Sequence, residues 1–338
     1  MSIREARIRL AWLGMHPTRR RDLETRLGPP GLLEGVLDGR VEVPETARAA
    51  VHVPAAQRLD ELADDTRLVL DGDVDYPTSL VGLPDRPDAL FIRGLVPEGP
   101  AVAVVGSRRV TAYGRRWTTT LAGAIARTGV PIVSGLAKGV DGIAHQAALD
   151  AEAPTVAVLG CGIDRWYPAT HARLGNEILE AGGAIVSEYA PGIPPARYRF
   201  PLRNRIVSGL ADAVIVTEAA VRSGALITAR VALEQGREVL ALPGDLDRAT
   251  SEGTNRLIAD GAVPVTSVED AVEAVGRILG MAVEMSPEHP LSELLGTGSE
   301  LDDLPSQLDL SAPEALALVG RWELEGLVRM EGGRVVPT

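Results

Sequence analysis

A chain of 338 residues with 45% hydrophobic side chains has ample material for one large core with additions at its ends, which excludes a small fold held by staples. Its single cysteine, Cys161, excludes an internal disulfide framework, and no apolar run reaches the roughly 18 residues that a membrane span needs. The net charge of −12 argues, taken alone, against a polyanionic partner.

The opening MSIREARIRLAWLG has neither the apolar core nor the cleavage site of a signal peptide, so a cytoplasmic location without membrane insertion is expected. Charge is unevenly spread along the chain. Residues 106–205 carry 12 basic and 7 acidic side chains, whereas residues 269–338 carry 4 and 14. For steering a polyanion, the local sign matters more than the sum. Lys138 is the only lysine, and codon bias is reason enough for that.

In chain order, residues 3–50 show helical apolar spacing broken at Pro17 and at GPPG (28–31), which predicts a small helical domain over 1–74. A proline-punctuated lead-in follows and ends in a strand, Ala89 to Arg93. From Ala101 the pattern becomes strand, glycine turn and helix, repeated. Strands are predicted at 101–105, 130–134, 155–159, 184–188, 213–217, 238–242 and 263–266. Helices are predicted at 113–128, 141–151, 170–181, 203–211, 224–236, 253–260 and 267–279. Short, wholly apolar strands alternating with amphipathic helices indicate a doubly wound, mostly parallel Rossmann-like α/β domain, assigned to 75–280. Residues 281–298 look like a linker. Residues 299–338 predict helix, turn, helix and hairpin, a winged-helix outline, with Ser311 and Glu314 as a capping box and Trp322 on an acidic surface.

The loops after the strands carry the chemistry, because a doubly wound sheet binds its ligand outside the carboxyl ends of its strands. They hold Gly106, Ser107, Arg108 and Arg109 after the first strand and Lys138 after the second. Ser223 and Gly224 open a helix after the fifth, where free N–H groups can meet a phosphate. RYRFPLRNR (197–205) places four arginines among Tyr198 and Phe200 with no acid. It is read as a loop, and its alternation of fork, ring and amide (Arg199, Phe200, Arg203, Asn204, Arg205) suits a single nucleic-acid strand. A solvated charged loop is the plainer alternative.

Other candidates read as structural. Cys161 fits a small buried hydrophobe better than a nucleophile, and His145 a packing residue. No metal spacing, no Walker sequence and no G-x-G-x-x-G after the first strand occur, so no cofactor is expected. No dedicated set of reaction residues stands out, and an enzyme is not expected.

Taken together, GSR…YG, SGLAKGVDGIAHQAAL, AVLGCGIDRWYP, SEYAPG, RFPLRNRIVSGL, TEAAVRSGALITARVALEQGREVLALPGD and GTNRLIADGA closely resemble the DNA-processing protein A family (DprA, also called Smf). The resemblance is strong over about 75–268. It implies a non-enzymatic homodimer, paired through the Rossmann domain. It further implies a protein that binds and protects single-stranded DNA and helps load a RecA-type recombinase past single-strand binding protein in natural transformation. Carried over by residue, it gives Gly106, Ser107 and Arg108 as a phosphate-contacting turn, Lys138 as a basic loop residue, and Phe200, Arg203, Asn204 and Arg205 as a DNA-gripping segment. The runner-up is a nucleotide-splitting enzyme of the phosphoribohydrolase (lysine-decarboxylase-like) type, weakened because its P-G-G-x-G-T run is missing.

Overall fold

The computed structural model describes residues 1–281, 298–308, 310–324 and 327–337. They fall into two compact units, Met1–Val283 and Glu284–Thr338.

Four helices open the first unit: α1 (Ile3–Ala11), α2 (Pro17–Leu37), α3 (Glu45–His52) and α4 (Ala55–Asp60). Ser2 caps α1 by accepting from the Glu5 amide at 3.1 Å. The expected break at GPPG is a kink within α2, where Gly28 takes a left-handed φ of 69° ahead of Pro29 and Pro30. Leu10, Leu32, Leu33 and Val36 are completely buried among these helices. Ile8 and Trp12 on the other side of α1 pack on the sheet, with Trp12 edge-on to Phe91 at 5.1 Å between ring centroids.

Nine strands form one sheet: β1 (Thr66–Leu70), β2 (Ala89–Gly94), β3 (Val102–Val105), β4 (Ile132–Ser134), β5 (Thr155–Leu159), β6 (Ala184–Ser187), β7 (Ala213–Val216), β8 (Glu238–Ala241) and β9 (Val263–Pro264). Their order is β1-β2-β6-β5-β4-β3-β7-β8-β9. Pairs from β6 through β9 are parallel, while β1 and β2 add an antiparallel edge. Covering the sheet are α5 (Ala112–Arg127), α6 (Val140–Asp150), α7 (Ala172–Glu180), α8 (Arg199–Gly209), α9 (Gly224–Glu234), α10 (Glu252–Ala259) and α11 (Val268–Leu279). Residues of β3, β5 and β7 are buried throughout, as wholly apolar strands between two helical layers must be. From β3 the chain winds outward through β4, β5 and β6, then returns to place β7 on the other side. The β3–β7 boundary is therefore the topological switch point, beside which a doubly wound sheet opens a crevice.

Two expectations are corrected here. β1 lies inside the stretch read as wholly helical; TRLVL is too short to alternate clearly, and its pairing with β2 is long-range. The 197–205 stretch is not a loop from end to end, because α8 begins at Arg199. Pro201 stands in its first turn, where a missing N–H costs nothing.

In the second unit, β10 (Ser299–Glu300), α12 (Leu304–Leu308), α13 (Ala312–Leu324), β11 (Val328–Glu331) and β12 (Arg334–Pro337) follow in order. The three strands form a sheet ordered β10-β12-β11. The Ser311 N–H donates to the Glu314 carboxylate at 2.9 Å, one arm of the expected capping box. Trp322 is buried with Leu304, Val319, Val328 and Val335, a correction to its expected exposure: the small unit has no other large ring with which to fill its centre. Nearly all of the expected linker, residues 282–297, lies outside the described residues. Among the described residues, no helix is long and apolar enough to cross a membrane.

Candidate nucleic-acid interface

A cleft of about 520 Å³ lies at the carboxyl ends of β3 and β7, bounded by the Gly106–Arg109 turn, the start of α8 and the start of α9. Three local devices shape it. The Ser107 amide donates to the Glu218 carbonyl at 2.8 Å, and the Ser107 carbonyl accepts from the Val140 amide at 3.1 Å. The turn is thus tied to the loops on both sides. Gly106 is required by space, since a Cβ there would meet Val140 Cγ2 at 2.6 Å and the Glu218 carbonyl oxygen at 2.9 Å. Beneath the turn, the buried Glu218 carboxylate accepts from the Thr111 amide at 3.1 Å.

At the start of α9 the Ser223 hydroxyl accepts from the Ala225 amide at 3.3 Å. Asn204 Nδ2 donates to the Gly224 carbonyl at 3.3 Å, which ties α8 to α9 across the cleft. First-turn amides of a helix face outward and carry the positive end of its dipole, so this end of α9 suits an anion.

The arginines divide by environment. Arg108 and Arg109 are exposed on the turn, and neither has an ion-pair partner among the described residues. The Arg108 guanidinium lies over the Phe200 ring at 5.2 Å from its centroid. Arg203 lines the cleft but is 3% exposed. Its Nη1 donates to the Val158 carbonyl, and its Nε has no partner. Burial pulls its pKa below the usual arginine value, with nearby Asp141 working against that pull. The same burial raises the Asp141 carboxyl, and Arg203 opposes it. Two buried groups of opposite sign thus lie in the cleft wall, next to the exposed charge of Arg108 and Arg109.

The remaining expected residues lie elsewhere. Arg205 is buried and pairs with Glu188 at 2.6 Å; burial opposes its charge, but the Glu188 carboxylate outweighs this and raises its pKa. Arg199 is buried between the rings of Tyr189 and Tyr198, 5.1 and 5.3 Å from their centroids. Lys138 is exposed on the neighbouring loop, outside the cleft lining. The cleft therefore gathers Gly106, Ser107, Arg108, Arg109, Phe200, Arg203, Asn204, Ser223 and Gly224. It does not gather Lys138, Arg199 or Arg205. Arg222, Asp141 and Thr228 also line it, three residues not among those expected from sequence. Arg222 could have been found, as a cation directly ahead of a helix cap.

Cys161 is buried, and burial pushes its thiol up to about 11. A thiol so hard to ionise is a poor nucleophile. The Thr155 hydroxyl donates to the Ile132 carbonyl at 2.7 Å and so accepts from His145 Nδ1, also at 2.7 Å. That places a proton on Nδ1, and burial, which lowers the pKa to about 3, keeps the ring neutral. Among the described residues, no cluster of His, Cys, Asp and Glu could hold a metal ion.

Residues 67–276 match the family described as DNA recombination-mediator protein A. Protein Smf of Escherichia coli (strain K12) is 45% identical over 249 residues, 72% of this chain and 63% of that protein. The chain thus spans less than two thirds of that relative's length. Among solved structures, DNA processing protein A (DprA) from Streptococcus pneumoniae superposes with a TM-score of 0.64 at 33% identity, covering 78% of this chain and 95% of that one. DNA processing protein A from Helicobacter pylori, described for its unique single-stranded DNA binding mode, gives 0.56 at 32% identity, covering 63% and 96%.

Proposed function

This chain belongs to the DNA recombination-mediator protein A family, and on that premise we propose that it is a single-stranded DNA-binding protein acting in DNA processing and recombination. The observation that carries the reading is the cleft at the β3–β7 switch point. There two unpaired guanidiniums, Arg108 and Arg109, stand beside a ring, Phe200, and the Gly224 amide at the start of α9. Guanidiniums and amides hold phosphates, and rings accept the faces of unpaired bases. A duplex hides those faces. The H. pylori relative, described as binding single-stranded DNA, supports the same substrate class.

The finer parts of the reading are that the protein protects incoming strands, works as a homodimer, and hands the strand to a RecA-type recombinase in place of single-strand binding protein. Nucleotide hydrolysis is not favoured by the lining. Asp141 is the sole carboxylate among the described residues there; it accepts from the Ala137 amide at 3.3 Å and is neighbour to Arg203 rather than free to act on a substrate.

The test is a binding isotherm with single- and double-stranded oligonucleotides of one length at two or more salt concentrations. Single strands should bind tighter. With about four phosphates neutralised at roughly 0.7 counterions each, log affinity should fall against log salt with a slope of about −3. Equal affinity for blunt duplex, or a slope near zero, defeats the reading.

A further inference from the structure

Phe200 already carries two neighbours. The Arg108 guanidinium lies 5.2 Å from its centroid, and Tyr167 stacks on it at 5.1 Å with 30° between planes. A base reaching this stack must displace one of them or lie on the outer ring. Tyr167 keeps 43% of its surface exposed and is that outer ring. Tyr198, two residues before Phe200, is 48% exposed. His16, in the loop between α1 and α2, stacks on Tyr198 at 6.0 Å with 20° between planes. Both exposed tyrosines, Tyr167 and Tyr198, are held in place. Buried Arg199 supports Tyr198 from beneath, while the Cys161 thiol donates to the Arg165 carbonyl at 3.3 Å, fixing the turn that leads to Tyr167.

Each ring has a cation beside it in the chain. Arg165 precedes Tyr167 by two residues and Arg197 immediately precedes Tyr198; both are exposed. Neither guanidinium has an ion-pair or hydrogen-bond partner among the described residues. A ring with a free guanidinium alongside is the repeating unit of a single-strand groove, base face on one and phosphate on the other.

We propose that a DNA strand leaving the cleft continues along a second track, with its bases stacked on Tyr167 and Tyr198 and its phosphates met by Arg165 and Arg197. His16 extends the second stack, so the N-terminal helices touch the same strand. This rests on the single-strand reading above and adds the direction in which the strand runs.

The experiment compares oligo-dT of about 4 and about 16 nucleotides, a range that one or more binding subsites would span. In the parent protein the longer strand should bind tighter, and the ratio of the two affinities is the readout. In Tyr167→Ala and in Tyr198→Ala that ratio should fall on the order of tenfold, with the salt slope unchanged, because a ring carries no charge. Tyr198→Trp should restore it. Arg165→Gln and Arg197→Gln should instead reduce the long-strand salt slope by about 0.7 each. A photo-cross-linkable strand, with iodouracil spaced along it, should mark Tyr167, Tyr198 or His16 in the unaltered protein. A parental length ratio in the tyrosine variants, or cross-links confined to the cleft, overturns the track while leaving single-strand binding intact. Failure of the parent to bind single strands at any length overturns both.

Discussion

Arg108 follows Gly106 by two residues and Arg205 follows Phe200 by five; in sequence both look equally suited to DNA, yet their surroundings separate them. Arg108 is solvent-exposed, without an ion pair among the described residues, and rests on Phe200. Arg205 is buried and bonded to Glu188 at 2.6 Å, with Asp85 at 3.9 Å. Charge reversal at Arg108 should weaken single-strand binding by about 1–3 kcal/mol, the range for a charge-assisted contact, and leave the melting temperature near that of the parent. Arg205→Ala should do the reverse. It leaves the Glu188 carboxylate buried without its partner, which costs on the order of 3–5 kcal/mol of stability, and the protein that remains folded should bind DNA with the parental salt slope. Parallel titrations and thermal melts check both, and a stable Arg205→Ala protein that has lost its DNA affinity contradicts the division. The arginine run itself was legible from sequence, but its division was not. Which guanidinium meets water depends on the chain placed against α8: Glu188 follows β6, and Asp85 lies in the connection between β1 and β2. His145 gives a pH test at this same scale. Its pKa is about 3 folded against about 6.5 in an open chain. The unfolded chain therefore takes up a proton that the folded one refuses, so this group's stability is present above pH 6.5 and is lost as pH falls towards 3. A His145→Gln protein should lose less stability between pH 7 and pH 5 than the parent, as followed by denaturant melts.

At the scale of elements, the start of α9 is the most informative. Gly224 is the first residue of the helix, its φ is not in the left-handed region, and a Cβ there would meet nothing within 4 Å. The fold therefore does not require glycine at this position. Alanine should be tolerated or raise stability by about 0.5–1 kcal/mol through lost chain entropy. If a phosphate or sugar approaches the first-turn amides closely, as proposed, the same methyl group should weaken single-strand binding. Gly224→Ala with unchanged affinity, measured by the same isotherm, removes α9 from the contact surface. Gly106 differs, since the fold fills the space its side chain would need. The elements of the sheet were readable because buried parallel strands such as VAVV and AVIV are apolar on both faces. β1 was not, because TRLVL earns its place only by pairing with β2. The start of α8 was not legible, because Arg199, Phe200 and Pro201 look like a charged loop until the Tyr189 ring that receives Arg199 and the Val158 carbonyl that receives Arg203 are known.

For the whole molecule, the two units differ in charge as well as in core. Residues 282–338 carry 11 acidic and 3 basic side chains, whereas the cleft of the first unit presents unpaired arginines. A winged helix that reads duplex DNA needs a basic recognition helix and a basic wing. Here α13 (APEALALVGRWEL) has two glutamates and one arginine. Its one large ring, Trp322, is spent on the core and offers no stacking surface. Within a Debye length of about 8 Å at physiological salt such a unit repels a polyanion, so we expect it to contribute nothing favourable to the DNA contact. A protein ending at Met281 keeps the whole nine-stranded sheet and every residue that lines the cleft. It should bind single strands as tightly as the full chain or more tightly, and the gain should be largest at low salt, where screening is weakest. A large loss of affinity in the shortened protein, with circular dichroism showing the fold intact, contradicts this and places part of the DNA contact in the acidic unit.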